Sequence, residues 1–168
     1  MIRSTDKFLI GIVVGVIILI GAAFAVAFLR PAPTFQPDDT PAGVAHNYLL
    51  ALQKKEYERA YGYLSPTLEN YPDSVDKFID NIDDYDWQFR DLQEGAITVA
   101  VETTDITGER AEVVVRENHF RQGGLFNSSQ YDRTFDMRLR LDSDQNGWKI
   151  VDSDSYWVRC WDDEEGCR

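Results

Sequence analysis

Twenty-two consecutive residues without a charge, Phe8 to Leu29 (FLIGIVVGVIILIGAAFAVAFL), constrain this chain more than any other feature. At 1.5 Å per residue a helix of that length covers the ~30 Å hydrocarbon core of a bilayer. Nothing in the run offers a polar face, so a helix buried in a globular core is the poorest account of it. A cleavable signal peptide is the competing account, since the small residues of AFAVA suit a peptidase. A signal h-region is typically about 7–15 residues, which favours an uncleaved anchor. Arg3 and Lys7 precede the run and Arg30 alone closely follows it. That bias leaves residues 1–7 in the cytoplasm, residues 8–29 in the membrane and the rest outside, a single-pass cell-membrane protein.

Formal net charge is −12. Residues 1–37 hold three of the basic residues and only Asp6 of the acidic ones, so the remainder is more acidic still. Nucleic acid and anionic headgroups need cationic surfaces and are excluded as partners. The two cysteines, Cys160 and Cys167, both fall in the last nine residues. Outside the cytoplasm they would form a disulfide closing a small acidic loop over residues 159–168, worth about 2–3 kcal/mol. A zinc site would need two more ligands, and His46 and His119 have no ligand spacing. No motif asks for a cofactor.

Residues 30–39 are rich in proline and read as a spacer. Thr40 and Pro41 then read as an N-cap and first helical residue, followed by Val44, Ala45, Tyr48, Leu49 and Leu52 at helical spacing. Tyr57, Ala60, Tyr61 and Leu64 predict a second helix ended by Pro66, and Ser74 caps a third carrying Val75, Phe78, Ile79 and Ile82. From there the period becomes two. Strands are predicted in DWQFRD, AITVAVET, RAEVVVRENHF, YDRTFDMRLRLD and WKIVDSDSYWV. Helices followed by about five or six strands joined by short turns give an α+β class, with the helices on one face of an antiparallel sheet.

Two stretches then resemble the nuclear transport factor 2-like (cystatin-like cone) superfamily. AHNYLLALQKKEYERAYGYLSP is similar to its opening helix pair, and DSDQNGWKIVD to its closing hairpin. The resemblance covers residues 40–158 and implies a strongly curved sheet wrapped around the helices with a conical cavity. The superfamily includes isomerases and dehydratases, binding modules and assembly domains, so fold alone does not give activity.

DSDQNG also has the D-x-D-x-N-G spacing of a calcium loop, with Asp142, Asp144 and Asn146 as ligands and Asp152 as a further candidate. The twelfth position, where a bidentate Glu belongs, is Ser153, and Asn-Gly is a strong hairpin signal, so a turn is the preferred reading. His119 falls in phase with Ala111, Val113 and Val115 and could face the cone near Tyr48 or Tyr61. A structural role at the strand end competes with catalysis there. No Asp stands in an apolar strand face. The expectation is therefore a noncatalytic extracytoplasmic domain binding a small apolar ligand or a partner protein, with Tyr48, Leu52, Tyr61, Val113, Val115, Phe135 and Met137 around the ligand. An isomerase- or dehydratase-like enzyme using His119 is one alternative. A homodimer joined through Asp136, Arg138 and Arg140 on the outer sheet face is the other.

Overall fold

The computed structural model describes the backbone of residues 4–28, 32–122, 128–142 and 147–157, and side chains of 9–25, 32–119, 130–142 and 147–157. Two compact units divide the chain at Pro33. The first contains helix α1, Ser4–Phe28. Between residues 9 and 25 its apolar side chains are exposed on every side, from Leu9 to Phe24. Within that described part no helix is long and apolar enough to cross a membrane.

The second unit begins at Thr34, so it takes in part of the expected spacer. Helix α2, Pro41–Gln53, starts as the sequence predicts: the Thr40 hydroxyl accepts from the Gly43 amide at 3.0 Å, with Pro41 in the first turn. Asn47 is fully buried and fastens the preceding segment, accepting from the Gln36 amide at 2.8 Å and donating to the Gln36 carbonyl at 2.7 Å. Gly43 is required there, because a Cβ would stand 2.1 Å from the Pro37 carbonyl oxygen. Phe35 is capped by the Arg59 guanidinium 3.4 Å from its ring centre.

Helix α3 is one turn shorter than expected, Tyr57–Gly62, because Leu64 leaves it to bridge Ile150. Helix α4, Val75–Asp84, has the predicted Ser74 cap, accepting from the Lys77 amide at 3.2 Å. The next segment corrects the sequence reading. DWQFRD is not a strand but part of α5, Asp86–Gln93. Phe89 and Leu92, three apart, are buried, while Trp87 is 69% exposed. The helical spacing therefore overrides the apparent alternation.

Among the described residues four strands follow, where five or six are expected: β1 Ile97–Thr107, β2 Arg110–Gln122, β3 Ser128–Asp142 and β4 Gly147–Ser153. They form one antiparallel sheet in chain order. Gly108, at φ 62°, turns β1 into β2. The ladder's register shifts between Val101 and Thr103 and again beside Arg138, irregularities that bend a sheet. Asp142 pairs with Gly147, so the DSDQNG segment joins two antiparallel strands as the hairpin reading requires. Ser143 to Asn146 lie outside the described residues, as do the cysteines Cys160 and Cys167. The outer edge of β4 is covered: the Ser65 amide donates to the Ile150 carbonyl and the Ile150 amide to that of Tyr63, both at 2.9 Å. Helix α2 crosses the inner face and packs on β1, β2 and β4. Tyr48, Leu52, Val113, Val115 and Met137, with Phe135, lie in a contiguous core there.

Candidate functional site

Alternation along β2 sends Ala111, Val113, Val115 and then Glu117 to the inner face. Glu117 is 1% exposed, which is unusual for a carboxylate and sustainable only with partners. The register supplies them, since Arg133 is its direct neighbour on β3, and Tyr131 that of His119. Arg133 Nε donates to Glu117 Oε2 at 3.0 Å, and His119 Nε2 donates to the same oxygen at 3.1 Å. Among the described residues no donor meets Glu117 Oε1 in ordinary hydrogen-bond geometry, and the Tyr156 hydroxyl is the group that interacts with this carboxylate besides Arg133 and His119.

Each partner is held in turn. Arg133 Nη2 donates to Ser155 Oγ at 2.9 Å. The His119 ring stacks on Tyr131 with centres 4.4 Å apart and planes 8° off parallel. Tyr156 adopts φ 57°, a left-handed conformation that costs a bulky residue energy. It is pinned there by Tyr48, whose hydroxyl donates to the Tyr156 carbonyl at 2.7 Å, and by ring contacts to Phe89 and Phe135. Burial first, and then the neighbouring Glu117 carboxylate, raises the Tyr156 phenol well above the ordinary tyrosine range. It stays a neutral hydroxyl. These groups line a cleft of about 500 Å³, with Ile97 at its base and the exposed rings of Trp87 and Tyr131 on its rim.

The sequence-predicted residues are distributed differently. His119 does reach the inner face, but its partners are Glu117 and Tyr131. The Tyr48 hydroxyl is committed to Tyr156, and that of Tyr61 donates to the Pro72 carbonyl at 2.8 Å. Leu52, Val113, Val115 and Met137 are fully buried and Phe135 nearly so. With Tyr48 and the partly buried Tyr61 they pack against one another, and none lines this cleft. Among the described residues no group of acidic, histidine or cysteine side chains is placed to hold a metal. Of the proposed calcium ligands, Asp142 ends β3, while Asp144 and Asn146 lie outside the described residues. Trp157 is 6% exposed and belongs to the same core. Glu117, Arg133 and Tyr156 were not anticipated. The signal for Glu117 was present: it shares parity with Val113, Val115 and His119.

No family model matches the sequence, and no curated protein matches it. Among solved structures, a provisional ketosteroid isomerase from Shewanella frigidimarina superposes with a TM-score of 0.49 at 19% identity, covering 68% of this chain and 94% of that one. A nuclear transport factor 2-like protein of unknown function from Cytophaga hutchinsonii gives 0.36 at 11%, covering 68% and 86%. A provisional dehydratase of the same family from Streptomyces avermitilis gives 0.38 at 12%, covering 66% and 88%. At these identities and scores no activity passes from those proteins to this one. Two of the three bear in their descriptions the superfamily that the opening helices and closing hairpin of this sequence resemble.

Proposed function

We propose that this chain is a membrane-anchored, extracytoplasmic binding module whose Glu117 cleft receives a hydrogen-bond-donating, cationic group of a small molecule or partner protein. The anchor rests on the uncharged run Phe8 to Leu29 and on the apolar side chains exposed around α1. The observation that carries the binding role is the buried Glu117 carboxylate beside a cleft, its Oε1 bonded to neither Arg133 nor His119 and met by no donor in ordinary geometry among the described residues. Leaving such an oxygen unmet costs about 1–3 kcal/mol, which a ligand N–H would recover. Trp87 and Tyr131 on the rim suit the flat or methylene-rich body of such a ligand. The expected cone ligand gives way to a cleft ligand, since the inner face behind Phe135 and Met137 is occupied by side chains.

The test is a titration of the full chain in detergent micelles with benzylammonium and arginine amide, followed through the NMR signals of His119 and Tyr131. Saturable shifts that vanish in Glu117→Met support the proposal. Shifts that persist in the variant, or their absence with both cations, overturn it.

A proton-transfer enzyme of the isomerase or dehydratase kind is a second reading. It is favoured by the placement of an open carboxylate oxygen beside a protonated phenol, Tyr156. Deuterium uptake from solvent into an enolisable ketone, abolished by Glu117→Gln, would establish it. A binding module leaves the ketone unlabelled.

A further inference from the structure

Of the arginines whose side chains are described, Arg59, Arg90, Arg116, Arg133 and Arg138 each have a carboxylate within ion-pair distance. Arg110 and Arg140 have none among the described residues, and the two are direct partners across the β2–β3 ladder. Like charges placed opposite one another on one face repel. In a chain with 29 acidic and 17 basic residues, carboxylates are in excess, so an unpaired cation pair is not explained by a shortage of counter-charges.

The same row crosses the whole outer face as Thr107, Arg110, Arg140 and Lys149. Arg140 Nη2 donates to Thr67 Oγ1 at 3.0 Å and Lys149 Nζ to the Gly62 carbonyl at 2.6 Å, both neutral acceptors. The adjacent row, Asp105, Glu112, Arg138 and Asp152, carries its own cation, with Arg138 bonded to Asp152. The first row therefore lacks an anion and the second does not. Arg110 and Arg140 open into a cleft of about 880 Å³, shared with Thr67 and Thr107.

We infer that this outer-face cleft is a binding site for a small molecule bearing a tetrahedral oxyanion, a phosphoryl or sulfuryl group. Guanidinium groups only donate, in a fork that matches two oxygens. Two guanidinium groups from adjacent strands, with about five N–H donors each less the one that Arg140 gives to Thr67, outnumber the roughly four lone-pair sites of a single carboxylate. Asp105 and Glu112 on the same cleft repel extended polyanions, which restricts the ligand to one compact charged group. The site lies on the opposite face of the sheet from Glu117 and stands independently of its ligand.

Calorimetric titration of the full chain in phosphate-free maltoside micelles, with inorganic phosphate and phenyl phosphate as probes and acetate at equal ionic strength as control, tests the proposal. One equivalent of either phosphate should bind, and acetate more weakly. Arg110→Gln with Arg140→Gln should weaken phosphate at least about tenfold, the usual scale for losing a charge-assisted fork. Arg116→Gln, an outer-face arginine already paired with Glu102, should bind as the parent does. Equal heats from acetate, or an unchanged double variant, would overturn the proposal. So would sedimentation showing a dimer that the double variant dissociates and phosphate does not, since the row would then meet a second copy.

Discussion

Replacing Glu117 by Met separates a carboxylate kept for binding from one kept for the fold. A carboxylate 1% exposed has lost nearly all its hydration, an effective penalty of several kcal/mol. Against this stand two contacts to Oε2 and the neighbouring Tyr156 hydroxyl, while Oε1 lacks a donor in ordinary geometry and costs up to about 1–3 kcal/mol. Met has similar length and volume and no charge to desolvate. The groups left behind are tolerant: the Arg133 side chain is 58% exposed and keeps Ser155, and that of His119 is 18% exposed. Exchanging a whole buried ion pair for apolar groups of like volume is commonly neutral or stabilising, and removing one partner is costly only where it strands a buried charge; because the Arg133 side chain left behind is exposed to water, we expect Glu117→Met to gain about 1 kcal/mol. The reverse truncation, Arg133→Met, strands the buried carboxylate and should lose about 3 kcal/mol. Urea unfolding followed by tryptophan fluorescence measures both, with an unchanged m value showing that the same transition is compared. A loss of about 3–5 kcal/mol in Glu117→Met would refute the reasoning, because the carboxylate would then be holding β2 to β3.

Three further outcomes follow from other parts of the structure. Burial raises the phenols of Tyr48 and Tyr156 in the folded state, so both keep their protons when the unfolded chain ionises. Their contribution to stability should be level below pH ~10 and then fall by about 2.7 kcal/mol per pH unit for the pair, and a level urea midpoint between pH 9 and 11 would contradict this. Gly43→Ala drives a methyl into the Pro37 carbonyl and should cost about 1–3 kcal/mol, with proteolysis between residues 33 and 40 appearing first. Arg110→Glu turns a repulsive cross-strand pair into an attractive one and should raise stability in phosphate-free buffer by about 0.5–1 kcal/mol, read from thermal unfolding.

Much of this architecture is legible in the sequence because its signals are local. Thr40 with Pro41 and Ser74 are caps that need only neighbouring amides, and the alternation at Val113, Val115, Met137 and Leu139 states which face is buried. DWQFRD misleads because two aromatics two residues apart, Trp87 and Phe89, satisfy a strand pattern, and only Leu92 beyond them reveals the helical spacing. Glu117 was readable by parity, but a charged residue in an apolar series is easily taken as the series ending. Its meaning depended on Arg133 standing opposite, and pairing register is a long-range property that the bends in the ladder make harder to infer. The same holds for Arg110 and Arg140, thirty residues apart and unremarkable until the ladder sets them side by side. Tyr156 required more again, since its left-handed backbone depends on the hydroxyl of Tyr48 from the other end of the domain.

The grip of Asn47 on Gln36 decides where a mechanical load would enter the domain. Tension arriving along the chain from residue 33 meets paired hydrogen bonds to the middle of α2, whose neighbours Tyr48 and Leu49 are at the centre of the core. No strand lies in that path, so a pull from this end is borne by α2 and the sheet is spared from unzipping one bond at a time. Asn47→Ala would release the clamp, lengthening the free leash by several residues, each adding up to ~3.5 Å of reach. Single-molecule extension of the two proteins would show that difference as a small early step before the main unfolding event.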